Sequence, residues 1–92
     1  MMQKPEVRTG DWITFGTGLI LQEAVVSKVY QDSSDADIEV VYLDNQARAI
    51  NADMIWKVGA WHFKYSGPCG GYADNYDRLS QWVSKLRSGR YQ

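Results

Sequence analysis

The sequence predicts a mainly β domain of the α+β kind: five short antiparallel strands rolled into a barrel, with one C-terminal α-helix packed on it. Three observations carry that expectation. Runs rich in β-branched and aromatic residues recur at 11–15, 24–29, 38–43, 47–51 and 55–65, bounded by Gly, Asp, Asn and Ser clusters. The stretch 38–56 reads as a hairpin and a tight corner, with Asp44 and Asn45 supplying residues that tolerate positive φ at the loop. From Tyr72 onward the apolar period changes from 2 to 3.6, so the chain ends in a helix.

Taken in order, residues 1–9 are polar, include Pro5 and show no period, which predicts a loose arm. Gly10-Asp11 opens the first strand and Gly16-Thr17-Gly18 closes it, with Trp12 and Thr14 on one face and Ile13 and Phe15 on the other. The Gly-Thr-Gly turn lacks the spacing and the Lys-Ser/Thr pair of a phosphate loop and is read as a plain turn. Residues 19–30 fit a helical spacing through Leu19, Glu23, Val26 and Tyr30, and also a two-residue alternation; the β-branched run Val25-Val26-Ser27-Lys28-Val29 tips them to strand. Residues 31–37 form a polar loop. Its aspartates at 32, 35 and 37 lack the glycine and distal glutamate of a calcium loop, so it is read as an acidic solvated tip. The hairpin loop that follows is two or three residues long; the longer option sets Val41 and Leu43 opposite Ala49 and Ala47. Asn51-Ala52-Asp53-Met54 loses the alternation and predicts a single 3₁₀ turn. A fifth strand resumes over 55–65, bent at Gly59.

The glycine-rich run Ser66-Gly67-Pro68-Cys69-Gly70-Gly71 is a loop. The helix is expected over 74–89, with Asp74 as N-cap, Asp77 at the third position, and Tyr72, Tyr76, Leu79, Trp82, Val83 and Leu86 on one face. Gly89 stops it after Lys85 and Arg87, basic residues that suit the negative end of the helix dipole. The layout is therefore one domain over 1–92: arm 1–9, barrel 10–65, loop 66–73, helix 74–89.

A chain of 92 residues buries only about two-thirds of its unfolded surface, so its core is thin and docked elements matter. Four Trp and six Tyr are many for that size, and some of those rings are expected at an interface. No apolar run approaches the roughly 20 residues of a membrane span, the N-terminus lacks the apolar core of a signal peptide, and Cys69 is the single cysteine. Those features point to a cytoplasmic protein with no membrane role. Residues 1–50 hold 4 basic against 8 acidic side chains, and residues 51–92 hold 6 against 3. That asymmetry lacks the dense basic stripe that drives nucleic-acid binding.

Within this layout Gly10-Asp11-Trp12-Ile13, Glu23-Ala24-Val25-Val26-Ser27-Lys28-Val29, Ile38-Glu39-Val40-Val41-Tyr42-Leu43-Asp44-Asn45 and Ala52-Asp53-Met54-Ile55 stand in sequence. They resemble the first three strands and the last turn of the SH3-like barrel in its Tudor and KOW branch, over about residues 10–58. The resemblance implies a five-stranded SH3-like barrel and a binding role. Tudor domains that read methylated side chains hold the cation in an aromatic cage. Only Phe15 and Tyr42 fall near cage positions here, and the segment 61–92 has no counterpart in the minimal family pattern.

Candidate functional residues cluster in that added segment. Trp56, Trp61, Phe63, Tyr65 and Tyr72 interleave with Lys57, His62 and Lys64, the composition of a stacking platform or a flat protein interface. Core packing is the stronger reading of such a strand, because an aromatic face usually turns inward. Cys69 near a helix start, His62 and an orienting Asp74 could make a nucleophile site, but no local signature accompanies them and no catalytic residue is assigned. No metal or other cofactor is implied. The favoured reading is a noncatalytic interaction module binding a protein or peptide partner or self-associating into a homo-oligomer, through Trp56, Trp61, His62, Phe63, Lys64, Tyr65, Cys69 and Tyr72. The alternatives are KOW-type nucleic-acid binding, which needs Lys57, Lys64, Arg78, Lys85, Arg87 and Arg90 on one face, and a small-molecule or enzyme site formed at an oligomer interface.

Overall fold

The computed structural model describes residues 4–17, 20–31, 36–64 and 72–89. Five strands run β1 (Trp12–Thr17), β2 (Ile20–Val29), β3 (Ile38–Leu43), β4 (Ala49–Lys57) and β5 (Ala60–Phe63), followed by 3₁₀ turns at Ala73–Asn75 and Asp77–Leu79 and by α1 (Ser80–Ser88). Each strand pairs antiparallel with the next in chain order, and β5 comes round beside β1 to give a nearly closed barrel. The expected fold class holds. It is compatible with a small SH3-like barrel, and among the described residues no helix is long and apolar enough to cross a membrane.

Alternation divides the sheet into two apolar layers. Ile13, Phe15, Ala24, Val26, Ile38, Val40, Tyr42, Ala52, Met54 and Trp61 fill the barrel, while Val25, Val41 and Ala49 point outward and are covered by Ala73, Leu79, Val83 and Leu86. Leu79 is fully buried, and burial of such a side chain stabilises by about 1.5–3 kcal/mol, which anchors a helix too short to stand alone.

The ambiguity of residues 19–30 has a physical source in a β-bulge. Val26 faces Val40 and Lys28 faces Glu39, so Ser27 is an extra residue between them. Ala24 and Val26 point into the barrel before the bulge and Val29 packs against the same core after it, while Lys28 stays exposed.

Four local expectations are corrected. The β3–β4 loop is neither two nor three residues: Leu43 pairs with Ala49, leaving Asp44 to Arg48 between the strands. The Asp44 carboxylate accepts the backbone N–H of Gln46 and of Arg48, both at 2.9 Å, and the Arg48 Nε at 3.1 Å. The residue at positive φ is therefore Ala47 (62°), not Asp44 or Asn45. Asn51 to Met54 is strand, not a 3₁₀ turn, because β3 supplies a full ladder opposite it. Gly59 is not a bend within one strand. With Val58 (φ 52°) and Gly59 (φ 76°) it forms a two-residue turn of the I′ kind between β4 and β5, setting Trp56 opposite Trp61.

The helix begins later than expected. Tyr76 is extended (φ −121°, ψ 114°), which breaks the segment into two 3₁₀ turns before α1, and Asp74 makes no cap but pairs with Arg87 at 3.1 Å. Asp, Asn and Tyr are weak helix formers, and the sheet fixes this stretch instead. Tyr72 bridges to Ile50, while Arg78 reaches Glu39. Tyr72 and Tyr76 are accordingly exposed, not on the buried face, whereas the stop at Gly89 (φ 93°) falls where expected.

Candidate functional site

Two centres, one polar and one aromatic, hold the fold together. The first is a clamp. Glu39 is 5% exposed on the outer face of β3, where Arg78 binds both its oxygens at 2.8 and 3.1 Å, Ser27 Oγ donates at 2.8 Å and Asn51 Nδ2 at 3.4 Å. Burial pushes the carboxyl up, but the hydrogen bonds from Arg78 and Ser27 and the guanidinium charge outweigh it and hold it below its ordinary range. A carboxylate so fully engaged has no lone pair left for proton transfer, and its role is to fasten the turn before α1 to the sheet. Beside it Tyr30 donates to Asp53 Oδ1 at 2.8 Å, and burial followed by that hydrogen bond raises the phenol.

The second is the ring cluster Phe15, Tyr42 and Phe63, with centroids 5.2–6.0 Å apart. These include the two residues nearest Tudor cage positions. They fill one end of the barrel against one another, edge to face for Phe15, and Phe15 and Tyr42 are 3% and 5% exposed. Contact at that spacing is packing, with no opening of cation size between the rings.

The open feature lies along the seam between β1 and β5. No ladder joins these two strands, and a groove of about 410 Å³ runs there. Every residue from Trp12 to Gly16 lines it from β1, including Phe15 of the ring cluster, with Trp56, Ala60 and Trp61 from the β4–β5 hairpin and Pro5 and Val7 from the N-terminal arm. Among the described residues no charged side chain lines it. A Cβ built on Gly16 would meet nothing within 4 Å, so the groove is open at that point. Its edges carry the exposed apolar residues Leu21 (76%) and Val58 (96%), the latter next to the lining Gly59. Trp56 and Trp61 meet edge to face at 5.1 Å, and the Trp56 Nε1–H is buried without an acceptor among the described residues. A buried donor left unpaired costs about 1–3 kcal/mol.

The residues singled out from sequence are thus dispersed. Trp56 and Trp61 line the groove; Phe63 is in the aromatic end; His62 is exposed on β5; Tyr72 stacks under Arg48, 5.1 Å from its ring centre, and accepts a hydrogen bond from that guanidinium. Lys64 is half-buried and extends the β4–β5 pairing through its N–H to Asp53 O at 3.0 Å. Tyr65 and Cys69 lie outside the described residues, and with them any test of a Cys69–His62 pair. Among the described residues no group of three or more His, Cys, Asp or Glu is arranged to hold a metal. Sequence reasoning missed Trp12, Thr14, Gly16 and Leu21. The available signal was Gly16 in an otherwise regular strand, where glycine often marks close approach by another chain. Comparison of the chain with known protein families, curated proteins and solved structures finds no match.

Proposed function

We propose that the protein is a noncatalytic interaction module that seats an extended segment of a partner protein in the β1/β5 groove. The observation that carries this reading is an uncharged, tryptophan-walled groove lying between two strand edges that have no ladder partner. A strand or extended peptide entering there finds backbone donors and acceptors along an edge and apolar walls for its side chains. Leu21 and Val58 at the rim extend the apolar contact, and Val58 holds a positive φ that a β-branched residue adopts at a cost, which a turn with no binding role would have little reason to keep.

The readings by resemblance draw less support. The filled Phe15–Tyr42–Phe63 end leaves the Tudor type without a cation cage. Three of the six basic residues wanted by the KOW type are engaged elsewhere: Arg78 with Glu39, Lys85 with Gly10 O and Arg87 with Asp74.

A random-peptide display selection on the purified chain, followed by NMR mapping, tests the proposal. Selected peptides are expected to shift the Trp12 and Trp56 indole and Thr14 amide signals. Gly16→Leu, whose Cβ meets nothing within 4 Å among the described residues, is expected to weaken them at least tenfold while leaving the fold intact. Peptides mapping to α1 or to the Arg48–Tyr72 surface, or indifferent to Gly16→Leu, would overturn it.

A further inference from the structure

Part of the groove wall is supplied by the chain's own N-terminal arm. Pro5 and Val7 line the groove and also a smaller cavity of about 140 Å³ behind it, bounded by Val29, Ile38 and Trp61. Val7 packs half-buried on the barrel core, and Lys4 Nζ lies 3.1 Å from Asp37 Oδ1. The other oxygen of Asp37 accepts the backbone N–H of Trp56 at 2.9 Å, so a single carboxylate joins the arm to the strand that carries a groove wall. Among the described residues, none of residues 4–7 makes a backbone hydrogen bond to the barrel; the first regular tie is the Gly10 N–H to Val26 O at 2.7 Å. An exposed ion pair and one half-buried valine are a weak hold.

We infer that residues 4–7 form an intramolecular strap that competes with the partner for this end of the groove, and that the partner segment shares its chemistry: a cation, a proline directly after it, and an aliphatic residue three positions beyond the cation. Proline keeps such a segment extended, the aliphatic side chain fills the place of Val7, and the cation meets Asp37. The strap stands on its own contacts, whereas the partner's chemistry rests on the groove reading above. A tethered competitor acts at an effective concentration in the millimolar range, so it suppresses free segments of similar intrinsic affinity and yields to better ones.

The test uses the full chain, the double variant Lys4→Ser/Val7→Ser, and the capped hexapeptide acetyl-Lys-Pro-Glu-Val-Arg-Thr-amide, which copies residues 4–9. Release of the strap is expected to move the Trp56 and Trp61 indole signals in the double variant without peptide. The hexapeptide is expected to bind that variant at least tenfold tighter than wild type and to return those signals toward their wild-type positions. Adding Asp37→Asn should weaken that binding, and salt should weaken it too. Equal hexapeptide binding to both chains, or none to the double variant, overturns the inference. If display-selected peptides still bind the groove in that case, the strap alone has failed. If no peptide of any sequence maps to the groove, the groove reading and the inference fall together.

Discussion

At one end of the barrel three rings from three different strands, Phe15, Tyr42 and Phe63, close the core; at the other the cover is a length of chain that belongs to no strand. The first closure is part of the sheet, so opening it means unfolding. The second adds Val7 and an exposed Lys4–Asp37 pair to a barrel whose four ladders form without them. The difference separates stability from accessibility: the end that can open is the one where nothing holding the sheet together has to break.

Substitutions should show that difference as a gradient. Phe15→Ala removes a ring at the sealed end and is expected to cost about 3–5 kcal/mol, enough to unfold much of the chain, as read by urea denaturation. If it costs less than about 1 kcal/mol, the two ends are equivalent. Arg78→Ala lies outside both ends and leaves the Glu39 carboxylate buried with weaker company. About 2 kcal/mol is expected, reduced from the loss typical of a buried pair because Arg78 is itself half exposed. The same clamp sets an acid limit. Glu39 is held below its ordinary value of about 4.5, so its contribution is complete above that pH and fades as pH falls through the folded-state value; a melting-temperature profile between pH 6 and 2.5 should flatten in Glu39→Gln. Val58→Asn, at the rim of the openable end, relieves a β-branched residue at positive φ and should stabilise by about 1 kcal/mol in thermal melts while weakening groove binding. Smallest of all, Lys4→Ala should change stability by less than about 0.5 kcal/mol yet still alter the Trp56 indole signal.

The strands and the helix stop were legible because they rest on local alternation and on glycine: residues 38–43 carry their pairing partners' pattern openly, and Gly89 ends α1 where the period ends. The helix start was not, because Tyr76 is held extended by tertiary ties at Tyr72 and Arg78 that no local pattern announces. The β3–β4 loop hid its length for a similar reason: Asp44 organises it through its side chain, and the strained position falls on Ala47, a residue with no turn signature. Val58-Gly59 reads as a bend because the first turn position, which a type I′ turn needs at positive φ, is held by a β-branched residue that seldom adopts it. Of the candidate site, the Trp56–Trp61 pair could be found as a composition peak, and its inward lean was expected. The groove could not, since it arises where β5 meets β1, the most distant strands in the chain, and in the arm Val7 stands between Glu6 and Arg8 with no apolar period to signal that it packs.

The extra residue in β2 carries a consequence for chain length. Because Lys28 stands opposite Glu39 and Val29 opposite Ile38, excision of Ser27 alone would leave Val26 followed by a residue in phase with the rest of the strand. Loss of one residue at Ala24 or Val41 would instead invert every side chain beyond the gap, sending apolar groups to water and polar ones inward. Position 27 is thus a site in the sheet where a codon could have been gained or lost without changing which side of the wall any neighbour faces, and the hydrogen bond from Ser27 to Glu39 is what gives the longer form a use.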